Sequence, residues 1–142
     1  MKQLYLSLVR PHLEYACQVW DSHLSKDKAA LEKVQKFACK LAILKWGSSY
    51  EELLSLTNLK SLQDRRLDFK LGLIFKMVHT LTLCYFPADS WAYRTKLRCS
   101  WNSNSLQLLT PPARTNAYLN SFFPHTIAKW NMLDNSTITA TS

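Results

Sequence analysis

Apolar positions recur along the chain with a helical rather than a strand period. Between residues 3 and 19, Leu4, Leu8, Tyr15 and Val19 stand near helical spacing, and Pro11 interrupts them. Either one helix kinks at Pro11 or a second begins with it in the first turn. Residues 26–45 carry the cleanest pattern: Ala30, Leu31, Val34, Phe37, Ala38 and Leu41 line one face at three- and four-residue steps. Ser25 is placed to cap this helix, Asp27 suits the positive end of its dipole, and Gly47 stands where it should end. Tyr50 to Leu56 reads as a short helix with Glu51 and Glu52 in its first turn. Ser61-Leu62-Gln63-Asp64 has the form of a capping box and opens a long helix to about residue 81. The apolar arc of that helix (Leu62, Leu67, Leu71, Ile74 and Val78, with Phe69, Leu73 and Met77 alongside) is broad enough to place it centrally in the packing.

After Cys84 the period is lost. Residues 85–120, broken by Pro87 and by Pro111-Pro112, read as mostly loop, and Ser105 to Leu109 is the candidate strand or hairpin arm. A short helix follows Pro124, with Ile127, Trp130 and Leu133 on one side. Residues 135–142 are small and polar, and a frayed tail is expected. No internal repeat is visible. The reading is a mainly α fold: helices at 3–19, 26–45, 61–81 and 124–133 sharing one small core, followed by a loop-rich extension. The corresponding division is 1–84, 85–134 and 135–142.

Composition narrows the function. Only two glycines occur, Gly47 and Gly72, which argues against a turn-rich β fold and against a glycine-rich phosphate loop. The net charge of +8 favours a polyanionic partner, nucleic acid or an anionic surface, or else serves solubility alone. Cys17, Cys39, Cys84 and Cys99 are scattered singly, with no spacing that suits zinc, so small buried hydrophobes in a reducing, intracellular setting are expected, with no disulfide and no metal. There is no secretory leader pattern and no run of 18 apolar residues, so no membrane span is expected, and the Asn135-Ser136-Thr137 sequon is read as chance. His12, His23, His79 and His125 have no sequence partner and read as structural or exposed, and the five tryptophans as packing anchors. No nucleophile elbow, zincin helix or P-loop is present. Two-metal phosphoryl transfer needs clustered carboxylates, and the one adjacent acidic pair, Glu51-Glu52, is better explained by a helix start. No catalytic residue, cofactor or small-molecule substrate is expected.

One candidate interface stands out. Lys26, Lys33, Lys36 and Lys40 fall on one stripe of the 26–45 helix, read as lying opposite its apolar face and spanning less than about a quarter of its circumference at about 100° per residue. A helix with such a stripe can lie along a phosphate backbone. A solvated helix face explains the same pattern, and Glu32, four residues before Lys36, supports that simpler account. Arg65, Arg66 and Lys70 open the long helix, where an ion-pair network is the default and phosphate contact the alternative. Arg94, Lys96 and Arg98 interleave with Tyr93 and precede Trp101, a pattern shared by single-strand binders and by ordinary soluble loops.

Several strings, in order, carry a resemblance. Leu4-Tyr5-Leu6-Ser7-Leu8-Val9-Arg10-Pro11-His12-Leu13-Glu14-Tyr15-Ala16 and Val19-Trp20-Asp21 come first, then Leu31-Glu32-Lys33-Val34-Gln35-Lys36. Ser49-Tyr50-Glu51-Glu52-Leu53, Leu62-Gln63-Asp64-Arg65-Arg66 and Phe75-Lys76-Met77-Val78-His79 follow. The last are Ala113-Arg114-Thr115-Asn116, Ser121-Phe122-Phe123-Pro124-His125-Thr126-Ile127 and Trp130-Asn131. Each is weak alone. Together, over residues 3 to about 134, they resemble the region after the polymerase palm in jockey-like, LINE-type non-LTR retrotransposon reverse transcriptases.

The resemblance implies a thumb-like helical bundle with a C-terminal extension, and no catalysis. The aromatic-Ala-Asp-Asp string of the family's palm is absent, as is its endonuclease. A thumb holds template–primer duplex by its backbone, which gives Lys26, Lys33, Lys36 and Lys40, helped by Arg65 and Arg66, a reason to contact RNA, DNA or their hybrid. Met1 stands where the family's chain continues from the palm, and residues 78–84 depart from its pattern, so a truncated, decaying copy is expected. An inert fragment, and a protein-interaction or self-associating module using an exposed apolar helix face, are the alternatives.

Overall fold

The computed structural model describes residues 1–79 and 106–138, and among them the chain is helical with no strand. It divides into two compact units, Met1–Phe69 and Lys70–Ser142. The division falls inside the long helix rather than after it.

The first unit begins with α1 (Lys2–Leu4), a π-helical turn (Tyr5–Val9) and α2 (Arg10–Glu14). Pro11 neither stops nor sharply breaks this run. Its ring would clash with the carbonyl four residues back and it offers no N–H, so the backbone widens ahead of it and the Arg10 N–H reaches Tyr5 O, five residues back. The true break comes at Tyr15 and Ala16, where Ala16 adopts φ 50°, and α3 (Cys17–Trp20) follows. Trp20 Nε1 donates back to Tyr15 O at 2.6 Å and closes that turn.

Helix α4 (Ser25–Ile43) starts and stops differently from expectation. Ser25 is its first helical residue, Leu24 takes the cap position, and no side chain caps the end. The stop is Leu44, not Gly47: Leu44 adopts φ 59° and its N–H donates to Lys40 O at 2.8 Å. A left-handed leucine costs roughly 1–2 kcal/mol, so the stop is imposed by the surroundings and not by local preference.

Helix α5 (Tyr50–Thr57) carries a complete capping box: Ser49 Oγ accepts from Glu52 N at 3.3 Å, and Glu52 Oε2 accepts from Ser49 N at 3.2 Å. This is the local use of the acidic pair. It ends at Asn58, a residue that tolerates φ 51°, with Leu59 N reaching Leu54 O at 3.0 Å. Helix α6 (Leu62–Val78) opens at the expected place. Ser61 Oγ accepts from Asp64 N at 3.0 Å, but the Asp64 carboxylate returns to the Ser61 hydroxyl at 2.7 Å and leaves the backbone N–H alone.

What joins these helices is polar. Gln35 is 1% exposed. Its Oε1 accepts from Tyr5 Oη at 2.8 Å, and its Nε2 donates to Tyr50 Oη at 3.1 Å and to Lys60 O at 2.9 Å. The Tyr50 hydroxyl in turn donates to Glu32. Glu32 then accepts from Gln63 N at 2.8 Å and Leu62 N at 3.4 Å, filling the open N–H groups at the start of α6. Glu32 therefore serves a tertiary contact and not the surface pair with Lys36. Beside this chain, Cys17 and Cys39 are buried, and Cys39 Sγ lies 3.8 Å from Thr57 Oγ1. Burial pushes the Cys39 thiol up, which keeps it a poor nucleophile. Cys84 and Cys99 lie outside the described residues.

The second unit has an apolar core of Ile74, Leu108, Ile127, Trp130 and Ile138, with Phe75, Leu106 and Leu133 among the residues packed on it. The last elements are α7 (Asn116–Leu119), capped by Thr115 Oγ1 from Tyr118 N at 3.3 Å, then α8 (Phe122–Trp130) and α9 (Asn135–Ile138). The described part of the candidate strand, residues 106–109, is an irregular segment held by side chains. Asn131 accepts from Leu108 N at 3.0 Å and donates to Leu108 O at 2.9 Å, and Trp130 Nε1 donates to Leu106 O at 2.9 Å. His79 stacks on Phe75 with centroids 4.2 Å apart and bonds Ile138 O at 3.0 Å, a structural use. Residues 135–138 depart from the frayed tail expected for 135–142: they form α9, and Ile138 is 0% exposed and belongs to the core, while 139–142 lie outside the described residues.

Two measurements check this fold. Burial, with Glu32 beside Tyr50 adding to it, raises both phenols above the ordinary value of 10.0. Groups whose proton is held more tightly in the folded state stabilise it below the unfolded value and lose that contribution as pH rises. Stability should therefore fall as pH rises above about 10, the free tyrosine value, and a Tyr5→Phe/Tyr50→Phe double variant should show a flatter alkaline limb in urea titrations. Ile138→Ala should cost about 2–5 kcal/mol by the same assay, and a loss near zero would mean that the tail is frayed after all.

Candidate nucleic-acid interface

The six residues singled out by sequence are not brought together as one surface. Lys26 and Lys33 are exposed and Lys36 and Lys40 half-buried on α4. Helical geometry keeps the four within an arc of about 80°. None of them forms an ion pair among the described residues, where Glu14, Asp21 and Asp68 pair with other cations.

The direction that α4 buries is not the one its apolar residues mark. Its buried residues are Gln35 and Cys39. Val34 is 41% and Phe37 54% exposed. The lysine stripe thus borders an exposed apolar strip on one side. Hydrophobic spacing found the helix but misjudged its inner face, because the groups it buries are a polar amide and a thiol.

Arg65 and Arg66 are used inside the first unit. Glu14 accepts two bonds from Arg65, one of them from Nη2 at 3.0 Å, and the Arg65 guanidinium also lies 5.4 Å from the Phe69 ring centroid. The Glu14 carboxylate raises Arg65 above its ordinary value. Arg10 approaches the same carboxylate at 3.8 Å. Arg66 is 0% exposed, donates from Nε to Asp21 at 2.9 Å, and lies 6.0 Å from the Trp20 ring. Both Nη atoms are buried and find no acceptor among the described residues. A fully enclosed guanidinium does not reach a phosphate backbone, so Arg66 has no place in the candidate interface. The ion-pair account of these arginines is the one the geometry supports.

Carboxylates are consumed in the same way. Glu14, Asp21, Glu32, Glu52, Asp64 and Asp68 each hold a cation, a helix start or a hydroxyl. Among the described residues, the α4 stripe is a set of lysines aligned on one arc without a carboxylate partner. Arg94, Lys96, Arg98, Tyr93 and Trp101 lie outside the described residues. No helix among the described residues is long and apolar enough to cross a membrane.

Removing one partner of a buried pair strands the other charge, a change that costs about 3–5 kcal/mol. Arg66→Ala and Asp21→Ala should each lower the thermal midpoint sharply in calorimetry, whereas Lys33→Ala should leave it nearly unchanged. No protein-family model, curated protein or solved structure matches the chain.

Proposed function

We propose that this chain is a non-catalytic helical module that binds a nucleic-acid backbone, RNA, DNA or their hybrid, without reading its sequence. The observation that carries the reading is the α4 stripe: Lys26, Lys33, Lys36 and Lys40 share one arc and have no carboxylate partner among the described residues. Four ammonium groups along one arc over about four turns can meet a row of phosphates, and displacing condensed counterions supplies the affinity. The net charge of +8 acts in the same direction by steering a polyanion toward the chain.

The ordered strings that resemble the post-palm region of non-LTR retrotransposon reverse transcriptases support the same reading. A region that clasps template–primer duplex needs backbone contacts and no base readout. In this proposal Arg65 and Arg66 shape the module and do not touch the nucleic acid.

The test is a titration of a primed template across a range of salt. Binding should weaken steeply with salt. Replacing Lys26, Lys33, Lys36 and Lys40 by Ala should flatten the log–log slope by roughly three to four, at about 0.9 per lost duplex contact. A folded chain whose binding is insensitive to salt, or unchanged in the quadruple variant, refutes the proposal.

A further inference from the structure

Beside the lysine stripe lies a groove of about 260 Å³ between the N-terminal helical segment (residues 2–9) and α4. Leu4, Leu8 and Val9 form one wall, and Val34, Phe37 and Leu41 the other. The large side chains on both walls face solvent: Leu4 is 55%, Leu8 62% and Phe37 54% exposed. Trp46, 60% exposed, sets its ring edge-on to Phe37 at 6.4 Å and extends the apolar strip past the end of α4. A sugar–phosphate backbone has no use for such a surface, so the groove is not part of the nucleic-acid reading.

The spacing of its walls describes what fits. Leu4 and Leu8 are one helical turn apart, and Val34, Phe37 and Leu41 repeat at three and four residues. Two helices that present such rows leave a trough for a third, anchored by its own side chains at i, i+3 or i+4, and i+7. Lys33 and Lys40 stand one turn before and one turn after Phe37, so the α4 lip is cationic. The opposite lip, next to Leu4 and Leu8, carries Ser7, whose hydroxyl is turned back to Gln3 O at 2.9 Å. A second copy of this chain would bring a +8 molecule and another lysine row against the first. An occupant with acidic residues along one edge would neutralise the row instead.

We propose that this groove is a docking site for an amphipathic helix of a partner protein, whose apolar stripe fills the trough and whose acidic edge lies along Lys33 and Lys40. Hydrophobic contact with Phe37, Leu4 and Leu8 supplies affinity, and the lysines select the sign of the partner's charge.

Two synthetic helical peptides test it against the full chain by fluorescence anisotropy. Both carry leucines at i, i+3, i+4 and i+7, one flanked by glutamates and the other by lysines. The glutamate peptide should bind at least about tenfold more tightly, a difference of about 1.4 kcal/mol. Phe37→Asp and, independently on the other wall, Leu8→Asp should each abolish that binding, and a Lys33→Glu/Lys40→Glu variant should reverse the preference. Failure of both peptides to bind, equal affinity for the two, or binding that survives both wall variants overturns the proposal. So does sedimentation showing a dimer that Phe37→Asp dissociates, which would assign the groove to a second copy.

Discussion

Burying the Gln35 amide is tolerable only if each of its polar atoms finds a partner, because an unsatisfied buried group costs about 1–3 kcal/mol. The first unit is arranged to meet that condition. Tyr5 comes from the π-helical turn, Tyr50 from the first turn of α5, and the Lys60 carbonyl from the link into α6, so one side chain of α4 meets three other segments. Each bond also fixes an orientation: the Tyr5 hydroxyl must donate, the Tyr50 hydroxyl must accept, and its own proton is then free for Glu32. Glu32 completes the chain by capping α6. A network of this kind specifies register, since a rotation of α4 by one residue would strand every member.

That constraint explains the exposed apolar strip on α4. A helix has one inner direction, and here the amide, the thiol of Cys39 and Glu32 occupy it. Val34 and Phe37 are left on the flank, where the N-terminal segment meets them only in part. The same helix therefore presents an apolar trough and a lysine row side by side. The two surfaces suit different partners and share Lys33 and Lys40, so those partners would compete for the same lysines.

Charge is sorted by whether a carboxylate was available. Arg65 and Arg66 adjoin in sequence, yet the first sits in a two-pronged pair with Glu14 and the second is enclosed against Asp21 and Trp20. Guanidinium suits such places, since it is weakly hydrated and can stack on a ring while it donates. Lysine ammonium is strongly hydrated, and Lys26 and Lys33 of the α4 stripe are exposed. In the second unit the irregular segment at 106–109 is handled by the same economy of polar partners. Trp130 and Asn131, adjacent at the end of α8, satisfy backbone groups of Leu106 and Leu108 with their side chains.

The sequence by itself determined the helices, because their signals are local. Three- and four-residue spacing located α4 and α6, Ser61 marked the start of α6, and Ile127 and Trp130 marked the inner side of α8. It also determined the lysine stripe, which needs only the helical repeat. It missed the short helix α7, whose Thr115 cap lies in a segment without period, and the burial of Ile138, whose neighbours are all small and polar. Inner faces were the larger difference. Leu62 and Arg66 are buried in the first unit, and Lys70 and Ile74 in the second, so two cations sit where an apolar reading expects leucines. No spacing rule announces that Asp21 will meet Arg66 across 45 residues, or that Gln35 will outrank Phe37 for the interior. Those choices depend on which polar groups distant segments bring within bonding distance, and only the tertiary structure decides that.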